Sequence, residues 1–116
     1  MLNNWSRTPA IHPSEVEEHL PRGYRLLDVR EFYEFEAGHI EGAHHIPLSR
    51  IAEEFHQIVP DQKYVVVCRS GARSNSVTEM LLGQGIEAVN LSGGLQSWIT
   101  YGKALTDGSG GRGRLD

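Results

Sequence analysis

The sequence predicts an α/β domain built on a mainly parallel central sheet with helices on both faces. Two short apolar runs, Arg25 to Val29 and Tyr64 to Cys68, carry most of that prediction. An uninterrupted apolar strand is one covered on both sides, and the second run is rich in β-branched valine. Helix-like stretches alternate with these runs along nearly the whole chain, the pattern of parallel strands joined by crossovers.

Taken in order, Pro13 suits a first helical position, and Glu15, Glu17 and Glu18 fall where the helix dipole favours acids. The strand from Arg25 to Val29 is followed by a helical stretch over Glu31 to Ala37. A weak strand is predicted at His44 to Ile46 and a helix over Ser49 to Val59. After the strand ending at Cys68, a helix is predicted over Ala72 to Gln84. There Val77, Met80 and Leu81 form one apolar stripe, and Gly83 and Gly85 end it. A second weak strand, Ala88 to Leu91, leads into a helix over Leu95 to Tyr101. Thr106 to Asp116 has four glycines, two arginines and one apolar side chain. The expected organisation is therefore one domain over residues 1–105 and a flexible Gly-rich tail over 106–116.

Composition narrows the function classes. A chain of 116 residues is one domain's worth. A single cysteine allows no internal disulfide, so a cross-linked secreted scaffold is excluded, as is a cysteine-rich zinc module. The net charge of -4 argues against broad nucleic-acid binding, and the short Gly/Arg stretch near the end is too small to reverse that. The first residues have no apolar stretch behind a basic end, so no secretory leader is expected. The longest apolar run, Tyr64 to Cys68, is far short of the roughly 20 residues that span a bilayer. No membrane association is expected, and a cytoplasmic location is. The charge is uneven: residues 1–61 hold eleven acids and five bases, whereas residues 62–116 hold six bases and four acids. No acid lies between Asp61 and Glu79, but Lys63, Arg69 and Arg73 do.

Sites on open α/β sheets form beyond the carboxyl ends of strands. The most apolar strand ends at Cys68 and runs through Arg69, Ser70, Gly71, Ala72 and Arg73 into a helix. Amides that open a helix have no intrahelical partners and carry partial positive charge. Gly71 lets a tight loop turn its amides inward, and Arg69 and Arg73 add full charges. Both effects favour a thiolate at Cys68. A lone cysteine ending an apolar strand is often just a small core residue. Core packing does not, however, call for two cations and a glycine within five residues of it.

The loop CRSGAR (Cys68 to Arg73) resembles the active-site loop of single-domain rhodaneses, the thiosulfate sulfurtransferase-like family. The stretch LLDVREFYEFEAGHIEGAHHIP (Leu26 to Pro47) is similar to that family's upstream signature, and NLSGGLQSW (Asn90 to Trp98) to its closing strand, double glycine and tryptophan. The resemblance covers about Ile11 to Lys103. It implies sulfur transfer through a persulfide on Cys68, from a small anionic donor such as thiosulfate to cyanide, a thiol or a protein cysteine. The amides from Arg69 to Arg73 would hold the persulfide, and no metal or organic cofactor is implied. It also implies structural support from Asp28, Arg30 and His39. The two arginines suit a dianion better than the nearly uncharged loops of mercaptopyruvate-using relatives.

Alternatives share the architecture. A partner-dependent persulfide carrier, or a regulatory rhodanese-like binding module, would show little thiosulfate turnover. Cysteine-dependent phosphatases and arsenate reductases require five residues between cysteine and arginine; here four separate Cys68 from Arg73. A metal at His39, Glu41, His44 and His45 is not expected, because adjacent strand residues point to opposite faces. Trp98 is expected to pack in the core, and Phe32, Tyr33 and Phe35 to divide between core and surface.

Overall fold

A computed structural model describes residues 8–116. Residues 1–7, the start of the expected domain and of the stretch in which no leader is expected, lie outside the described residues. Five strands form one sheet in the order β1-β5-β4-β2-β3, every neighbouring pair parallel. They are β1 (Ala10–Ile11), β2 (Tyr24–Asp28), β3 (His44–His45), β4 (Lys63–Val67) and β5 (Ala88–Leu91). The helices are α1 (Val16–His19), α2 (Phe32–Ala37), α3 (Ala72–Gly83) and α4 (Gly94–Thr100).

The apolar runs are the middle of the sheet. β4 pairs with β2 along its whole length, Leu27 opposite Val66 and Asp28 opposite Val67. Successive β4 side chains enter separate cores, as a strand covered on both faces requires. Tyr64, Val66 and Cys68 pack with Val77 and Leu81 of α3, while Val65 and Val67 pack with Val16 of α1 and Leu95 and Trp98 of α4. Helices therefore lie on both faces, and the fold is the α/β class expected. Val77 and Leu81 of the α3 stripe are buried, and Met80 packs at its edge.

The structure departs from the sequence reading at three places. β1 is two residues long, too short to leave a periodic signal, and owes its existence to pairing with β5. Residues 49–59 do not form the expected helix; short 3-10 turns at Leu48–Arg50 and Phe55–Gln57 replace it. Leu48 is tied by its N–H to the carbonyl of Val29, Ile51 and Ile58 are buried, and the backbone is extended at Ile58. Val59 precedes Pro60, which disfavours helical backbone there. Anchoring at both ends overrides the helical spacing.

The third departure is residues 106–116, which are not a free tail. Thr106 exchanges both backbone hydrogen bonds with His39, at 2.8 Å each, and the N–H groups of Gly108 and Arg114 donate to the carbonyls of Glu36 and Ala37. Asp107 accepts from the amides of Ser109 and Gly111 and from the Ser109 hydroxyl, which holds its carboxyl below the ordinary range. Leu115 packs at the edge of the second core. Composition counts side chains, and this segment is held by its backbone. Gly38 is what lets it approach, since any side chain there would run into the backbone of Arg114.

Candidate active site

Cys68 is the residue after β4, and the chain turns at once through Gly71 into α3. Gly71 has φ +102°, a left-handed conformation that a side chain resists. That turn brings the N–H of Gly71 to 3.1 Å from the Cys68 Sγ. The first turn of α3 adds the Ser74 N–H at 3.3 Å and the Ser74 hydroxyl at 3.2 Å. Three donors converge on one sulfur, and the cysteine is only 1% exposed.

What aims the loop is the start of α4, which follows the neighbouring parallel strand β5. The N–H groups of Leu95 and Gln96, in the first turn of α4, donate to the carbonyls of Cys68 and Arg69 at 2.9 and 3.0 Å. In a trans peptide the N–H points opposite to the C=O. Turning those carbonyls toward α4 therefore turns the amides of Arg69 and Ser70 away from it. The Gly71 carbonyl is fixed from two sides, by the Asn75 N–H and the Asn90 side chain, each at 3.0 Å. The contact depends on Gly94, which has φ +62° and whose hypothetical Cβ would meet the carbonyls of Cys68 and Arg69 at 2.5 Å.

The two arginines do different things. Arg73 forms a two-pronged pair with Glu34 of α2, Nη1 to Oε1 at 2.8 Å and Nη2 to Oε2 at 2.9 Å. Glu34 is buried, and its Oε1 also accepts the Glu31 N–H at the start of α2. The Arg73 guanidinium holds the Glu34 carboxyl below the usual carboxylate range, and Glu34 in turn raises Arg73. Arg73 is thus paired with Glu34, and Cys68 adds a smaller contribution that also raises it. Arg69 Nε donates to the main-chain oxygen of Asp116 at 2.9 Å.

Glu34→Gln is expected to cost about 1–3 kcal/mol at neutral pH, the usual range for a charge-assisted hydrogen bond to a buried group. The folded-state pKa of Glu34 lies below its unfolded value. Its contribution is therefore complete above roughly pH 4.3, the ordinary glutamate value, and is lost as pH falls through the depressed folded value. Urea denaturation should show a gap between the two proteins that is constant around neutrality and closes in acid. A gap still open in strong acid would assign the effect to helix capping instead of charge.

The supporting residues are distributed less tightly. Asp28 and Arg30 form a pair that is 1% and 0% exposed, with Arg30 Nη2 at 2.9 Å from Asp28 Oδ2. Arg30 Nη2 also donates to the Gly38 carbonyl at 2.6 Å, and its charge is among those that lower Glu34. His39 Nδ1 bonds the Phe35 carbonyl and its ring stacks on Phe35. Its backbone holds residue 106, so it ties α2 to the last segment. His44 and His45 turn apart, to the Gln57 side chain and the Arg30 carbonyl. Trp98 packs in the second core with its N–H on the Ala104 carbonyl, Phe32 and Tyr33 are exposed, and Phe35 is half-buried between two imidazoles.

Sequence reasoning identified the loop but not Ser74, Glu34 or Asn90. Ser74 stands one place past the quoted motif. Glu34 lies far from Arg73 in sequence, and nothing local links them. Gly93 and Gly94 were visible as part of a motif, without their purpose.

A family model described as Rhodanese-like domain matches residues 12–101. The uncharacterized protein YqhL of Bacillus subtilis (strain 168) is 41% identical over 102 residues, covering 84% of this chain and 81% of that protein. Thiosulfate sulfurtransferase GlpE of Pseudomonas fluorescens (strain SBW25) is 30% identical over 110 residues, 93% of this chain and 98% of its own. Among solved structures, a rhodanese-related protein from Thermoplasma volcanium superposes with a TM-score of 0.78 at 35% identity. That match covers 84% of this chain and 97% of the other.

Proposed function

The chain belongs to the rhodanese-like domain family, and from that premise we propose that it is a sulfurtransferase carrying sulfane sulfur as a persulfide on Cys68. The observation that carries this reading is the convergence of the Gly71 and Ser74 amides and the Ser74 hydroxyl on the Cys68 sulfur. Amides fixed in advance on a developing sulfur anion act as an oxyanion hole does.

In the reaction, the Cys68 thiolate attacks the outer sulfur of thiosulfate. The new S–S bond forms as the old one breaks, and the electron pair leaves with sulfite. Cys68 then carries an anionic outer sulfur at the loop, whose Arg69 and Ser70 amides are turned away from α4. Cyanide or a thiolate attacks that sulfur, and the pair in the breaking S–S bond returns to Cys68. The charge balances at each step without a metal or organic cofactor. The chain has no second cysteine to take the sulfur internally, so an outside acceptor is required. A lone thiol that must stay reduced suits a cytoplasmic location, and no helix of the described residues is long and apolar enough to cross a membrane.

Intact mass tests the reading. Thiosulfate should add one sulfur atom to the native protein, and cyanide should remove it as thiocyanate. A protein that gains no sulfur from thiosulfate but hydrolyses an aryl phosphate through Cys68 would overturn it. The commitment of Arg73 to Glu34 already counts against a phosphate site.

Arg69 is assigned to the donor because its cation follows Cys68 directly in the loop. Losing a charge-assisted hydrogen bond of about 1.5–3 kcal/mol corresponds to roughly tenfold or more in affinity. Arg69→Ala is therefore expected to raise the thiosulfate KM by at least about tenfold, with the cyanide half-reaction little changed. An unchanged thiosulfate KM would remove Arg69 from donor binding.

A further inference from the structure

Gly38 caps the end of α2 with φ −179°, an extended conformation that any residue adopts. Its own backbone therefore gives no reason for a glycine. The reason lies in residues 106–116. A Cβ on Gly38 would run into the main chain of Arg114, and one on Gly113 would meet the Gly38 Cα at 2.8 Å. Two facing glycines thus let this segment lie along α2 as a strap, with Gly108 and Arg114 donating to the Glu36 and Ala37 carbonyls. Glu34 of the same helix holds Arg73, so strap and Cys68 loop are docked on one element.

Beyond Arg114 the strap reaches the loop itself. The main-chain oxygen of Asp116 accepts from Arg69 Nε at 2.9 Å. The Asp116 carboxylate is engaged by Arg114, Oδ1 to Nε at 3.1 Å, so the main-chain oxygen is what Arg69 receives. The fastenings are light. Residues 108–112 are exposed, and Leu115 packs half-buried at the edge of the second core. Segments held by a few exposed backbone bonds open at far less cost than global unfolding.

We propose that this strap is a built-in competitor of the anionic donor, covering Arg69 when docked and yielding it only when lifted. The inference rests on the persulfide reading, with Arg69 as the donor's cation, and names a regulation of that site. Arginine Nε carries a single N–H. That donor cannot serve the strap's oxygen and a thiosulfate oxygen at full strength together. Docked and lifted forms therefore differ in donor affinity, the condition for their equilibrium to control binding. A strap docked about nine-tenths of the time raises the apparent donor constant about tenfold over its intrinsic value. Cyanide attack on the loaded cysteine does not draw on Arg69 and is left untouched.

The test compares the native chain with Gly38→Ala, which pushes the strap off α2 without backbone strain, and Leu115→Ser, which removes its apolar anchor. Neither substitution alters charge or falls in the Cys68 loop. Each is expected to lower the thiosulfate KM about three- to tenfold and to leave the cyanide KM unchanged. Made on Arg69→Ala, the same substitutions should leave the thiosulfate KM where Arg69→Ala alone puts it, because nothing remains to be covered. A merely structural strap would act equally with and without Arg69. The proposal is overturned by a thiosulfate KM that does not fall in a variant still folded by circular dichroism. A fall of equal size in the Arg69→Ala background overturns it too. Absence of thiocyanate formation by the native protein is a separate outcome, which would remove the persulfide reading and this proposal with it.

Discussion

Cys68→Ser is expected to gain no sulfur from thiosulfate and to lose thiocyanate formation by at least about a thousandfold, the scale on which deleting a nucleophile acts. The substitution is close to isosteric. The Gly71 and Ser74 amides and the Ser74 hydroxyl can bond an oxygen as they bond the sulfur, so the loop has no reason to rearrange. Stability should stay within about 1 kcal/mol of the native protein. What changes is chemistry: a serine hydroxyl is not ionised near neutral pH and holds no sulfane sulfur. Because Cys68 is the one cysteine in the sequence, no other thiol can substitute for it. A sulfur gain that persisted in the variant would therefore refute the assignment outright. Intact mass and the thiocyanate assay, run on the same folded sample, separate loss of chemistry from loss of fold.

The parts of this protein that were legible in the sequence are those encoded over a few neighbouring residues. β2 and β4 are shifted by one position from the predicted strands, β5 matches, and the α3 stripe buries Val77 and Leu81 as its spacing requires. The loop from Cys68 to Arg73 was legible because its glycine and cations are adjacent. The rest depends on contacts that no local pattern records. Arg73 reads as a cation beside the thiol, and nothing local shows that Glu34, from another element, pairs with it. Gly94 is one of a motif's two glycines until α4 is seen to hold the carbonyls of Cys68 and Arg69. The helix expected over 49–59 fails because its apolar residues answer to the core and not to one another. Residues 106–116 mislead in the opposite sense. Their side chains give no reason to pack, but Glu36, Ala37 and His39 offer backbone groups to be paired.

The largest effect on stability is expected at the buried pair behind the site. Asp28→Ala should destabilise the protein by about 3–5 kcal/mol, the cost of leaving a buried charge without its partner. Arg30 is fully buried; it takes Asp28 through Nε and Nη2 and the Gly38 carbonyl through Nη2, and its Nη1 has no partner among the described residues. A guanidinium already short of one bond has nothing in reserve when the carboxylate is removed. Replacing both residues, Asp28→Leu with Arg30→Met, removes the uncompensated charge. Buried pairs exchanged for apolar groups of similar volume are often nearly neutral in stability. The double variant should thus be more stable than Asp28→Ala alone when the two are compared by urea denaturation. Its folded form carries a second signature. Asp28, Arg30, Glu34 and Arg73 alternate in sign from β2 to the loop, and Arg30 helps hold Glu34 ionised. Without Arg30, Glu34 loses one of the two cations that depress its pKa. The acid limb that Glu34 contributes should then still begin near the ordinary glutamate value but end at higher pH, and be smaller, than in the native protein. An Asp28→Ala variant within about 1 kcal/mol of native would show that Arg30 finds water or another partner. An acid limb that did not move would show that Arg73 alone sets the charge of Glu34.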